Sequence, residues 1–582
     1  MGEPAGKRKA LSPPWGWPDV VAALLVFAVA LVLRLVYLSE IAAVPFYEYP
    51  IMDARAYDAW AMRIASGDWI GEDTFYQAPA YPYLLAVIYR VFGHDLELAH
   101  RLMMGLGALS CVLLFLATRV LFSRAAGLAA GMLIAVYPVA LFFDGQIGKT
   151  GLALFLTSLL LFLLVSYQRA PHAGWALWSG LVMGLLALTR ENALVFVLVV
   201  PFWMAWRNWV DGERGRRAAT DVLCVAMGAL LVLGAVSLRN QWLGGSFELT
   251  TAQVGPNFYI GNNPDATGLY EPLVAGRHTP DFESPDATRL AEAARGQALS
   301  RGEVSDYWLG RGFEFVVEQP GAWFRLMAYK AFLTWNDYEI ADTEDMYVYA
   351  DWSRLLQVLA PYAGFGLLAT LGAAGFVLGW ERRKDTALLL ILMFTFSFAV
   401  ALFMVFGRMR FPLVPLLVPL AGYALVTVPQ AFRDGNQKLV AMAAAVAGVV
   451  ALLAQLPLLD EDALRANGYA NLGVIMLNES RPEEAELYLE KAEAIYSEQS
   501  DLQYALGLLR ARQRRFDVAE EHLRRMIRLE ESDHRGHRLL ATVLKEQGRM
   551  EEAWKHHVRG QELDPSNAKN TPGLEPPPVT PR

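Results

Sequence analysis

Cysteine is nearly absent: the 582 residues contain two, Cys111 and Cys224. Both lie inside apolar runs, so a disulfide framework is excluded. Charge is scarce too. Only 19% of residues are Asp, Glu, Lys or Arg, and the net charge of −8 argues against nucleic acid as the main partner. No small-residue cleavage site follows the first apolar run, "VVAALLVFAVALVLRLVYL", although Lys7, Arg8 and Lys9 precede it. The run therefore reads as a retained anchor rather than a removed leader. What the chain has in abundance is apolar surface. It is 54% hydrophobic and 12% aromatic, with mean hydropathy +0.27, and a soluble protein of this length is rarely so greasy.

A hydrocarbon core of about 30 Å needs roughly 20 apolar residues as helix. That rule marks spans near 20–38, 98–118, 125–142, 150–166, 174–189, 191–206, 219–238, 354–379, 386–406, 411–428 and 438–457, about eleven in all. With residues 1–19 as a cytoplasmic tail, the inner connections hold Arg119 and Arg124, then Arg169, then Arg207, Arg214, Arg216 and Arg217. Arg382, Arg383 and Lys384 follow, then Arg433 and Lys438. This is the positive-inside bias. Tyr81–Phe92 is too short to cross and reads as a helix at the outer interface. The membrane domain then covers 20–457, with outer loops at 39–97 and 240–353. A few cations fall on the outer side against the bias: Lys149, Arg190, Arg408 and Arg410, with Arg34 near the outer end of the first span.

Past residue 460 the composition shifts to Glu, Ala, Arg and Leu. Gly473, Gly507 and Ala541 recur every 34 positions, as do Ala485, Ala519 and Ala553, and Leu472, Leu506 and Leu540. This pattern over 461–566 resembles about three tetratricopeptide repeats, stacked helix pairs that bind a protein partner. The Pro-rich end, 567–582, reads as disordered. The fold class expected is mainly α: a polytopic membrane domain followed by an α-solenoid.

The first outer loop carries "PIMDARAYDAW" at 50–60. If a helix starts near Ala54, Asp53 is its N-cap, and Asp53, Tyr57, Trp60 and Ile64 share a face. Downstream come "FYQAPAYPYLLAVIY", "GLVMGLLALTREN", "TTAQVGPNFYIGNNPDATGLYEPL", "LTWNDYEIADTEDMY" and "RMRFPLVPLLVPL". In that order, over roughly 20–430, these stretches resemble the GT-C glycosyltransferase superfamily. The likeness is to its family 39 branch of protein O-mannosyltransferases, aminoarabinose transferases and Rgt-like galacturonosyl transferases. The resemblance implies a transferase in a bacterial cytoplasmic membrane, working on the extracytoplasmic face. It would move a sugar from a polyprenyl-phosphate donor to an acceptor protein or glycan, with membrane lipid around it. Asp53 would be the catalytic base. Many relatives have Asp-Glu where this chain has Asp53-Ala54, which makes Asp144 the candidate for the second carboxylate. Gln77 stands where some relatives carry a lysine.

Attack of a hydroxyl on a sugar C1 needs a base, a stabilised lipid-phosphate leaving group and exclusion of water. Arg410, Arg408, Lys149, Arg190 and Arg55 are the candidate phosphate cations, Arg410 foremost. Tyr57, Gln77, Tyr81, Asn257, Asn262 and Asn263 are candidates to face substrate, the asparagines in a stretch whose Gly, Pro and Asn suggest turns. The chemistry requires no cofactor. Glu339, Asp342, Glu344 and Asp345 are a candidate divalent-cation cluster, with a solvated acidic loop the plainer reading. Two alternatives stay open. One is a ligase or polymerase of lipid-linked glycans, with Arg277 and His278 as its local candidates. The other is a non-catalytic scaffold built on the repeats.

Overall fold

The structure, a computed structural model, describes residues 15–212, 215–244, 247–277 and 280–564. Most of the expected N-terminal tail, the C-terminal tail and His278 lie outside the described residues. Among these residues the chain is helical throughout, with no strand.

Among the described residues eight helices are long and apolar enough to cross a bilayer: Trp17–Ile41, Leu96–Leu121, Lys149–Arg169, Glu191–Val210, Arg216–Leu243, Trp380–Ala401, Gly407–Arg433 and Gln437–Ala454. The chain is a multi-pass membrane protein. A ninth span is present if Arg124–Ala135 and Pro138–Asp144, bent by 58°, are taken together. Pro138 causes that bend, because it donates no backbone N–H and holds Tyr137 extended. The other two segments expected to cross depart from expectation. Ala173–Ala187 has 15 residues, about 22 Å of helix. The stretch 354–379 is not one helix but two, Arg354–Leu359 and Phe365–Leu378, interrupted where Pro361 and Gly364 fall. The helix expected at Tyr81–Phe92 forms as Ala80–Phe92.

The chain divides into two compact units. The first comprises residues up to Tyr270, Ala287–Ile340 and Tyr349–Leu458; the second comprises Glu271–Asp286, Ala341–Val348 and the chain from Leu459 onward. The stretch 240–353 is thus divided between the two units. In the first unit, helices close on one another through small residues, as lipid-embedded helices do. A Cβ on Gly180 would lie 2.1 Å from the Val225 carbonyl oxygen, and one on Gly375 would lie 1.9 Å from that of Leu420.

The second unit contains three helix pairs: Glu461–Asn478 with Pro482–Ile495, Ser500–Arg512 with Phe516–Leu529, and His534–Glu546 with Met550–Leu563. The 34-residue interval has a steric cause. Gly473 packs on Leu489, and Gly507 packs on Leu523. Ion pairs tie successive pairs together: Arg510 to Glu490 at 3.1 Å, Arg535 to Asp501 at 2.5 Å and Arg549 to Glu520 at 2.6 Å. The two mid-chain segments pack against these helices. Asp345 and Val348 abut Gly468, while Arg277 bridges Asp286 at 2.6 Å and Asp564 at 2.7 Å.

In the first unit, Lys330 on Pro320–Trp335 is fully buried. Its Nζ donates to the carbonyls of Gly261 at 2.8 Å and Phe403 at 2.9 Å, each at the C-terminal end of a helix. A cation suits that end of the helix dipole. Burial pulls the ammonium down to about 7. The unfolded chain therefore holds this proton up to its ordinary 10.5 while the folded chain releases it near 7, so stability rises with pH between those values. Melting of the wild type compared with Lys330→Met checks this: the difference should shift in favour of the wild type from about pH 7 to about pH 9. A difference flat in pH would mean that the buried ammonium stays charged.

Candidate active site

The helix expected in the 39–97 loop runs Met52–Ala65 and is capped by Ile51, not by Asp53. The helix begins two residues earlier than expected, so Asp53 sits in its first turn and its carboxylate is not spent on the helix end. Met52 before it holds φ at 46°, a strained value for a side-chain-bearing residue and of a kind found at functional sites. Ala54, Tyr57, Ala61 and Ile64 form the buried face. Trp60 lies at its edge, against Phe75 with ring centroids 5.5 Å apart.

Asp53 is held from two sides. Arg408 Nη1 donates to Oδ2 at 2.6 Å, and Gln77 Nε2 donates to Oδ1 at 3.3 Å. Burial works to raise this carboxyl, but the charges of Arg408 and Lys149 and the hydrogen bonds from Arg408 and Gln77 outweigh it. The group stays below the usual carboxylate range. Tyr57 is buried and meets Tyr81 edge to face at 5.7 Å. Burial and the nearby Asp53 charge push its phenol far above the ordinary value, so it remains a hydrogen-bond donor.

Two further cations come from helix starts. Lys149 opens Lys149–Arg169, and Arg190 precedes the short turn Glu191–Ala193 that leads into Leu194–Val210. Lys149 Nζ lies 3.9 Å from Glu191, whose other oxygen accepts from Thr251 at 3.4 Å. Arg190 donates to Thr150 at 2.6 Å and faces the Met409 sulfur at 3.5 Å. Both cations also feel the charges of Asp53 and Arg408. Three cations against two carboxylates leave one net positive charge. Arg190 is the unusual member. It is 2% exposed, no carboxylate among the described residues lies within ion-pair distance of it, and its Nε has no hydrogen-bond partner. The Tyr57 hydroxyl is likewise buried and unpartnered. Such groups are costly to bury, and together they make a polar site suited to an anion.

The structure brings together Asp53, Arg408, Lys149, Arg190, Tyr57, Gln77 and Tyr81. It places the remaining candidates elsewhere. Arg410, expected to lead the phosphate cations, is committed to holding the fold. Its guanidinium donates to the carbonyls of Asn336 and Tyr338, pairs with Glu339 at 3.0 Å and lies over the Phe365 ring at 4.3 Å. Residues two apart on a helix face different ways, so the turn Gly407–Arg410 sends Arg408 to Asp53 and Arg410 to the interior. Asp144 is fully buried and paired with Arg34 at 2.8 Å. It neutralises that arginine inside the helix bundle instead of joining Asp53. Arg55 is exposed on Met52–Ala65.

Asn263 starts the expected turn, its Oδ1 accepting from the Asp265 amide at 2.8 Å and its carbonyl from the Ala266 amide at 3.2 Å, but the preceding Val254–Gly261 is helical. Asn257 is half-buried within it. Asn262 donates to the Phe258 and Leu402 carbonyls and accepts from Trp323, while Asn263 donates back to Tyr259 and Ile260. Both therefore serve the backbone. In the acidic stretch, Glu339 belongs to Arg410, and Asp345 accepts from the Tyr347 and Val348 amides. Among the described residues no group of three or more His, Cys, Asp or Glu is arranged to hold a metal.

Sequence reasoning missed Glu191, Thr150, Met409 and Thr251. The first three are direct chain neighbours of cations already singled out on the outer side, and that adjacency was the available signal.

The dolichyl-phosphate-mannose-protein mannosyltransferase family matches residues 76–242. That stretch contains Gln77, Tyr81, Lys149, Arg190 and Glu191. No curated protein matches in sequence. Among solved structures, the oligosaccharyltransferase of Archaeoglobus fulgidus tethered to an acceptor peptide is similar at TM-score 0.41 and 13% identity, over 81% of this chain and 59% of its own. The archaeal oligosaccharyltransferase AglB, from the same organism and in complex with an inhibitory peptide and a dolichol-phosphate, gives 0.39 and 14% over 81% and 60%. ArnT from Cupriavidus metallidurans, bound to undecaprenyl phosphate, gives 0.31 and 17% over 71% and 78%. The chain thus spans about three-fifths of the length of the oligosaccharyltransferases it resembles.

The two arginines separate by experiment. Arg410→Ala leaves Glu339 buried without its counter-charge and should cost about 3–5 kcal/mol of stability, read as a lower melting temperature and yield. Arg408→Ala, at a partly exposed position, should leave melting within a few degrees of wild type. The reverse pattern would exchange their roles.

Proposed function

We propose that the protein is an integral-membrane glycosyltransferase of the GT-C type that transfers a sugar from a polyprenyl-phosphate donor to an acceptor hydroxyl. The observation that carries this reading is the pairing of Asp53 with Arg408 beside a buried Arg190 that has no carboxylate of its own. A base and an anion site stand together on the first outer helix and the turns at 190 and 408. The family match over 76–242, which covers two of the three cations, supports it.

In the proposed reaction the acceptor oxygen attacks C1 of the sugar, and its proton passes to Asp53. The bond from C1 to the phosphate oxygen breaks, and its electron pair leaves on the phosphate. Charge gathers there as the bond opens, so Arg408, Arg190 and Lys149 stabilise the transition state more than the ground state. A single displacement of this kind inverts the anomeric centre. Tyr57 and Tyr81 offer a ring surface to the sugar. We place the site on the extracytoplasmic side of a bacterial cytoplasmic membrane, where the positive-inside bias puts the 39–97 loop. We read the three helix pairs as tetratricopeptide repeats that bind an acceptor or partner protein.

A membrane assay with a polyprenyl-phosphate-linked sugar tests the chemistry. Asp53→Asn should lower transfer by about 10²–10⁴-fold, the usual contribution of a general base, with the protein still inserted. Undiminished transfer would favour a ligase or a scaffold. Because Asp53 is held low in the free enzyme, kcat/KM should stay flat as pH falls through the ordinary carboxylate range and drop only below it. Sidedness is checked with cysteines at positions 55 and 383: an impermeant reagent outside intact cells should reach the first alone.

A further inference from the structure

Asp53 and Glu191 do more in this arrangement than a base and a bystander would. We infer that both are displaceable counter-ions: in the empty site they hold Arg408 and Lys149, and the phosphate of the lipid-linked donor takes their place. Donor binding would thereby release Asp53 to act as base. The inference rests on the glycosyltransferase reading and specifies how its site is regulated.

Three observations carry it. First, both oxygens of Asp53 are engaged, one by Arg408 and one by Gln77. A carboxylate clamped in an ion pair at 2.6 Å is a poor proton acceptor. It gains basicity only when the guanidinium turns to another anion, and phosphate offers Arg the same two-oxygen geometry as carboxylate.

Second, the groups that must exchange are the reachable ones. Arg408, Asp53 and Glu191 keep 23%, 17% and 21% of their side chains exposed, against 8% for Lys149. Glu191 is also loosely held, at 3.9 Å from Lys149 and 3.4 Å from Thr251.

Third, two donors in the same cluster, Arg190 Nε and the Tyr57 hydroxyl, are buried without partners. Neither existing carboxylate hydrogen-bonds to them. They are positioned for oxygens the protein does not supply. The single net positive charge of the cluster matches a singly charged phosphodiester, the form in which a polyprenyl-phosphate sugar would arrive.

Glu191 has a separate part to play. Transfer converts the diester into a phosphate monoester with more negative charge, which three cations would hold tightly. A carboxylate waiting beside Lys149 competes for that cation and favours release of the lipid product. Glu191 is thus a positioning residue, acting through Lys149.

The test is binding of undecaprenyl phosphate to the full-length protein in nanodiscs of zwitterionic phosphatidylcholine, with undecaprenol and inorganic phosphate as parallel ligands. Removing a competing anion should tighten binding. Asp53→Asn and Glu191→Gln should each lower the Kd for undecaprenyl phosphate by roughly tenfold. Arg190→Gln and Arg408→Gln should raise it by at least about tenfold. Glu191→Gln should also show a lower kcat with a lower donor KM, as expected when product leaves slowly. Inorganic phosphate should compete more strongly in Glu191→Gln than in wild type. If wild type binds but both carboxylate variants bind equally well or more weakly, the carboxylates are not displaced and the inference fails. Undecaprenol binding as tightly as its phosphate would overturn it as well, because the cations would then play no part. Failure of wild type to bind undecaprenyl phosphate at all would instead refute the glycosyltransferase reading beneath it.

Discussion

Burying a charge in a helix bundle sized for a bilayer is expensive unless a counter-charge or a dipole comes with it. The described structure follows this constraint nearly everywhere. Asp19 accepts from both Arg119 and Arg124, with Arg119 bonding through two nitrogens. Asp144 answers Arg34, and Glu339 answers Arg410. Lys330, which has no carboxylate, is satisfied by two carbonyls. Against this background Arg190 stands apart, with a threonine hydroxyl and a methionine sulfur as its partners. The fold tolerates it because Asp53 and Glu191 lie close enough to offset its charge without bonding it. A functional centre in such a protein is best located where the counter-charge is incomplete.

The same constraint explains which candidates were legible in the sequence. Outer-side cations could be found by counting charges against the positive-inside bias, and that procedure singled out Lys149, Arg190, Arg408 and Arg410 together. It could not rank them. Arg408 and Arg410 differ by two positions, and only the phase of a four-residue helical turn decides which one meets Asp53. Asp144 misled for a similar reason: its partner Arg34 is 110 residues earlier, and no local pattern connects them. The asparagines after Gly255 resembled a turn by composition; Asn263 makes one, while tertiary packing drew Val254–Gly261, and Asn257 with it, into a helix.

Periodic features transferred better. In the first two helix pairs the 34-residue interval follows from one glycine meeting one leucine, which leaves a local trace. Long apolar runs also survived, with boundaries shifted by a few residues. What failed was continuity. Pro138 bends one run, and Pro361 with Gly364 breaks another, although mean hydropathy passes smoothly through both.

The discontinuous make-up of the second unit bears on how the protein is made. Glu271–Asp286 and Ala341–Val348 emerge from the ribosome well before Leu459, yet they pack with helices encoded after it. During synthesis these two stretches must wait while the last three long apolar helices enter the bilayer. Closing loops of such length is slow in entropic terms. Maturation of these two stretches is therefore a late event, completed only when the C-terminal helix pairs have been made and have found them.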